Sequence, residues 1–256
     1  MVRRLSVGVL PLVAGTLLLL EAGPCQAVDS VAGAPLLDTL WKAYKRDYIM
    51  ADGRVVDRRL DRVTSEGQSY GLLRAVWMAD AETFAMIFTW TEAHMRRPDG
   101  LYGWLWQPVR QGTLADANTA TDADQDIALA LILAARTFQQ PAYLERATHL
   151  VKAIRRHTGI AVGDGWFISA GNWARAERII NLSYFSPAAY PYFERLDPGG
   201  GWEALRRLGY RLVTRALATP DTRLIPDFCR VTHKGAVRYL PDDAPHSNAF
   251  SFDAMR

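Results

Sequence analysis

The sequence predicts an all-α domain in which deeply buried helices are ringed by amphipathic ones. Apolar residues recur at helical spacing in segment after segment, and a segment apolar on every face alternates with segments apolar on one face. No internal repeat, Pro/Ser linker or charge block marks a domain boundary. Loops as long as these, carrying aromatics and carboxylates, suit a toroid of inner and outer helices better than a simple bundle. The 256 residues are 49% hydrophobic, enough for one such core, which excludes a disordered chain or a collagen. With 30 basic against 27 acidic side chains, nothing drives nucleic-acid binding through counterion release.

Along the chain, Arg3 and Arg4 precede an apolar run from Leu5 to Leu20, and small residues follow up to Ala27. The run is shorter than the ~20 residues a spanning helix needs, so residues 1–27 read as a secretory signal and leave no membrane anchor after processing. A periplasmic or secreted domain over 28–256 is expected. Cys25 leaves with the signal, and Cys229, alone, makes no intramolecular disulfide.

Leu36 to Tyr48 carries Leu36, Leu37, Leu40, Trp41, Tyr44 and Tyr48 at spacings of three and four, a first amphipathic helix. A polar stretch, Asp52 to Thr64, separates it from a second helix over Gly71 to Ala79 and a third over Glu82 to Met95. Arg97-Pro98-Asp99-Gly100 ends the third with turn chemistry, and Tyr102 to Trp106 is an aromatic loop. Ile127 to Ala135 is apolar throughout and rich in Ala and Leu, which reads as a helix buried on every face. A more amphipathic helix spans Ala142 to Arg156, and Gly159 to Asn181 is a connection without strong period. Pro187 to Leu196 and Trp202 to Ala218 are the next helices, and Arg230 to Leu240 reads as a hairpin turning at Lys234-Gly235.

Three carboxylate motifs sit at the mouths of these elements. Thr64-Ser-Glu-Gly-Gln-Ser-Tyr-Gly71 opens the second helix with Glu66 in its first turn, where a helix-capping acid is the plain reading. The same run contains a formal G-x-S-x-G around Ser69, but the Asp- and Arg-rich stretch before it lacks the buried strand a nucleophile elbow needs. Asp122, Asp124 and Asp126 lead into the buried helix. A calcium loop would want Gly and Glu where Ile127 and Leu133 stand, and three acids exceed what a cap requires, so at least one is expected to face a cleft. Asp253 and Arg256 close the chain, their spacing fitting an ordinary helix-start ion pair. The five histidines lack zinc-ligand spacing, and neither a phosphate-binding loop nor a dinucleotide fingerprint is present. A metal-free, cofactor-free mechanism is left. Separated carboxylates with eight Trp, several in loops, are the equipment of glycosidic hydrolysis.

The run from Ala120 to Phe138 resembles the signature of glycoside hydrolase family 8 at each constrained position. The motifs Thr64 to Gly71 and Phe252-Asp-Ala-Met-Arg256 are similar to that family's other two, in the same order. With Trp104-Leu-Trp106 and Asn181-Leu-Ser-Tyr184, the likeness is greatest to the family's periplasmic endoglucanases of bacterial cellulose synthesis, and it covers Leu36 to Arg256. The resemblance implies an (α/α)6 barrel and inverting hydrolysis of β-1,4-glucan. It implies Glu66 as general acid, Asp253 as general base, and Asp122 as the carboxylate that binds and distorts the sugar, with Tyr184 lining the same subsite. Trp104 and Trp106 are candidate stacking rings, and Tyr70 and Arg256 candidate substrate contacts. It further implies a monomer with a β-1,4-linked polysaccharide as substrate, associated with a cellulose synthesis and export complex. About nine or ten helices are counted before Arg256, fewer than the family barrel uses, so the ring is expected to be open at its C-terminal side. Xylan and chitosan remain alternative substrates, and a catalytically impaired glycan-binding protein is the alternative from another class.

Overall fold

The computed structural model describes residues 34–108, 113–218, 224–240, 249–251 and 254. The segment read as a signal, 1–27, lies outside them. The described chain is mostly helical, with α1 (Ala34–Tyr48), α2 (Ser65–Trp77), α3 (Ala81–His94), α4 (Thr121–Thr137), α5 (Pro141–Thr158), α6 (Tyr190–Leu196) and α7 (Trp202–Leu217). No helix among the described residues is long and apolar enough to cross a membrane.

The predicted helices stand within a few residues of these limits except at the N-termini of α2 and α4, each of which begins six residues earlier than read. Helix α2 begins six residues before Gly71, because Thr64 caps it: the Thr64 side chain accepts the Gly67 amide, supplying one of the donors a helix start leaves unsatisfied. Helix α6 begins at Tyr190 rather than Pro187. Helix α4 bears out the prediction of all-round burial, with no exposed residue from Thr121 to Ala135. It packs against both α2 and α5. Gly71 lets α2 close on its neighbours, since a Cβ there would lie 2.8 Å from Val55 Cγ2 and 3.0 Å from Ile87 Cδ1 of α3.

Helix α1 differs from its reading. Trp41 is buried, but Leu36, Leu37 and Leu40 are more than half exposed, and among the described residues nothing covers them. What ties α1 down is polar: Asp80, the N-cap of α3, accepts the Trp41 indole N–H at 3.0 Å and the Lys45 ammonium at 2.7 Å.

Among the described residues, three small antiparallel sheets edge the helices. The first joins β1 (Val63–Thr64), β2 (Leu105–Gln107) and β3 (Thr113–Asp116) in that order. The second is the hairpin of β4 (Gly159–Val162) and β5 (Gly165–Ile168). The third joins β6 (Ile179–Ile180), β7 (Cys229–Val231) and β8 (Val237–Tyr239), the last two being the hairpin expected over Arg230 to Leu240. Most other strands fall in stretches read as loop, because two to four residues are too few to show alternation.

Candidate active site

Glu66 is placed by the junction of the first sheet and α2. Val63 pairs with Trp106 and Thr64 with Leu105, and the Ser65 amide donates to the Trp104 carbonyl at 3.0 Å. Thr64 is the N-cap, and the Glu66 carboxylate makes contacts beyond the helix start. Its Oε1 accepts the Trp104 indole N–H at 3.1 Å, and the Ser65 hydroxyl lies 3.3 Å from Oε2. Burial pushes the Glu66 carboxyl up to about 7 and the negative charge of Asp122 adds to it, outweighing its own backbone amide and the Ser65 and Thr64 hydroxyls.

Asp122 occupies the first turn of α4 and is buried. Capping does not explain it either. The cap position is Ala120, which has no capping side chain, and Thr121 donates its hydroxyl to the Ser169 carbonyl at 2.8 Å. Asp122 and Asp126, one turn apart, line a cleft of about 220 Å³ whose opposite wall is residues 183–188. Tyr184 belongs to that wall, at the end of a 3-10 turn, Leu182–Tyr184, capped by Asn181 through the Ser183 amide at 2.8 Å. The fully buried Gln125 fastens the wall to α4 by donating to the Tyr184 carbonyl at 2.9 Å.

The model of glycosyl hydrolases family 8 matches residues 16–256. The chain belongs to that family. It is 33% identical to an endoglucanase of Salmonella typhi over 232 residues, which are 84% of this chain and 59% of that protein. It is 33% identical to an endoglucanase of Escherichia coli K12 over 201 residues, 74% of this chain and 53% of that one. The chain thus spans little more than half the length of these curated relatives. Among solved structures it resembles the endo-beta-1,4-glucanase CMCax from Acetobacter xylinum, with a TM-score of 0.78, 28% identity, and coverage of 86% of this chain and 70% of that one. The helices therefore follow the (α/α)6 barrel of family 8 over the described residues.

Set against the family 8 expectation, the structure brings Glu66, Trp104 and Asp122 to one place and puts Tyr184 on the cleft that Asp122 lines. It does not bring Trp106. That ring is 6% exposed, edge-on to Trp90 at 5.1 Å, with the Arg54 guanidinium 5.5 Å over it. The pairing of β2 with β3 shifts between Leu105 and Trp106, and the two indoles end in different surroundings. Trp106 is a core residue and offers a sugar no open face. Tyr70, a turn beyond Glu66, stacks under the Arg74 guanidinium, which also covers Tyr44 of α1. Ser69 is buried within α2, its hydroxyl donating to the Glu66 carbonyl at 2.9 Å, and stands at no nucleophile elbow.

Asp253 and Arg256 lie outside the described residues. Their described neighbours are anchored by Asp227, a buried residue that carried no motif in the sequence. Its Oδ1 accepts the Ser251 amide at 2.8 Å, its Oδ2 the Ser251 hydroxyl at 2.5 Å, and its own amide donates to the Ala249 carbonyl at 2.8 Å. Phe228, next in the chain, packs with Ala170, Ile179 and Leu240 in a cluster that Trp173 and Tyr184 border. The approach to the last motif is thus held on the side of the molecule where Tyr184 lies.

Proposed function

We propose that this chain is an inverting endo-β-1,4-glucanase of family 8. Glu66 protonates the leaving glycosidic oxygen, Asp253 activates the water, and Asp122 binds the sugar next to the scissile bond, with Tyr184 lining that subsite and Trp104 holding the acid. The observation that carries this reading is the burial of Glu66 beside the Asp122 carboxylate, which raises its proton affinity. A general acid must keep its proton until the leaving oxygen takes it, and a carboxyl near 7 does so at neutral pH where an ordinary one does not. The inverting geometry leaves roughly 6.5–9.5 Å between acid and base for the water. The similarity to proteins named endoglucanase supports the β-1,4-glucan as substrate. Residues 28–256 form the catalytic domain, exported by the signal in 1–27 to the periplasm or beyond, where nascent cellulose and its synthesis and export complex are the natural partners.

The test is reducing-end release from carboxymethylcellulose, xylan and chitosan by the chain and by Glu66→Gln. Release from the cellulose derivative, reduced on the order of a thousandfold or more by the substitution, is expected. Turnover of xylan or chitosan alone would replace the substrate. Full activity of Glu66→Gln would remove Glu66 from the acid's role.

A further inference from the structure

Asp124, the middle acid of the run that opens α4, does not line the cleft. It is completely buried; its Oδ1 accepts the Tyr102 amide at 3.0 Å, and its Oδ2 has no hydrogen-bond partner among the described residues. A capping role does not apply, because the one bonded oxygen accepts an amide from outside α4. Burying a carboxyl half-satisfied is costly, and an apolar side chain of the same volume would pack there more cheaply.

The segment Asp124 holds is the one that carries Trp104. Tyr102 is itself buried and gripped at its other end, its hydroxyl donating to Glu92 Oε1 and accepting from Arg146 Nη2 at 3.0 Å. Gly103 follows with no room to shift: its amide donates to the Met95 carbonyl at 2.8 Å, and a Cβ would meet Leu114 Cδ1 at 2.7 Å. The Trp104 amide donates to the Asn118 carbonyl at 2.6 Å, its carbonyl accepts the Ser65 amide, and its indole reaches Glu66. Resting on the reading of Glu66 as the acid, we propose that Asp124 is a positioning residue for it: by fixing the Tyr102 amide, Asp124 clamps the backbone that holds the Trp104 indole against the Glu66 carboxylate.

The charge facing Glu66 is that of Asp122 on α4; the groups facing Asp124 are Asp122, Asp99, Arg97 and Arg146, with the Tyr102 phenol. Burial, with Asp122 and Asp99, raises the pKa of Asp124 against the pull of the Tyr102 amide and Arg146. The clamp works through the Oδ1 acceptor, and this gives the test its sign. Losing the indole N–H, which favours the ionised form, must raise the Glu66 titration midpoint. Losing a negative charge at position 124 would lower it.

The experiment is a carbon-detected NMR titration of the Glu66 carboxyl in the full chain and its variants. Trp104→Phe and Asp124→Ala each raise the midpoint by about half a pH unit or more, and the double variant rises no further. Asp124→Asn, which keeps the acceptor, titrates with the parent. Asp124→Val, closer to Asp in size and without an acceptor, takes the place of the alanine variant if a cavity prevents folding. An unchanged or lowered midpoint in the acceptor-free variant, or additive shifts in the double variant, overturns the proposal. The titration needs no turnover, so it stands apart from the substrate assay, in which inactivity of the parent chain would count against the glucanase reading alone.

Discussion

At the residue scale, the chemistry rests on where Glu66 keeps its proton. Its carboxyl ionises near 4.5 in the unfolded chain and near 7 in the fold, so between those values the folded state binds the extra proton. Stability therefore falls as pH climbs through that window, and the cost is complete above pH 7. Glu66→Gln, neutral throughout, escapes it. Its stability relative to the parent should be flat below pH 4.5 and should rise to a gain of about 1–3 kcal/mol above pH 7, read from denaturant melts across pH. A difference that does not vary with pH would show that Glu66 ionises normally in the fold. Part of this candidate site was legible in the sequence: the three acids leading into α4 exceeded what a cap requires, whereas Glu66 read as a capping acid and was singled out only by the resemblance to family 8. Gln125 and Asp227 were not legible. A buried amide that bonds a distant carbonyl and an acid that receives a serine 24 residues later leave no local pattern. Trp106 is packed in the core rather than beside Glu66, and the pairing shift between Leu105 and Trp106 is invisible in sequence.

At the element scale, helices were readable and sheets were not. A helix of three or four turns repeats its apolar spacing often enough to be recognised, whereas β1 and β6 contain two residues each. The face of α1 was also misjudged: its leucines stand exposed, and its attachment runs through Asp80 instead. That carboxylate caps α3 through the Thr83 amide at 3.0 Å while binding Lys45 and Trp41. Burial alone would raise its pKa, but the Lys45 ammonium, the Thr83 donors and the Trp41 indole bring it down to about 2. A lowered carboxyl pKa contributes stability above the ordinary value near 3.8 that is lost as pH falls towards 2. Asp80→Ala removes a cap and a partly exposed ion pair together, and should destabilise by about 1–3 kcal/mol at neutral pH in urea unfolding. Hydrogen exchange in α1 should accelerate with it. Unchanged stability would mean that α1 is held by something other than this clasp.

At the scale of the whole molecule, the family 8 barrel converts local helix starts into one site. Helix α4 runs through the core between α2 and α5, and its N-terminus delivers Asp122 beside the Glu66 end of α2. The same turns of α4 anchor the Trp104 segment through Asp124 and the Tyr184 wall through Gln125. One rigid helix thus fixes the neighbour of the proposed acid, its hydrogen-bond donor and the cleft wall in a single frame, which is what placement to within a fraction of an ångström requires. The central claim is that Glu66 donates the proton in a single displacement by water. Proton NMR of a cello-oligosaccharide during the first minutes of cleavage tests it most directly. The account predicts that the new reducing end appears first as the α-anomer and that Glu66→Gln abolishes its appearance; a β-anomer formed first, or unchanged cleavage by Glu66→Gln, would contradict it.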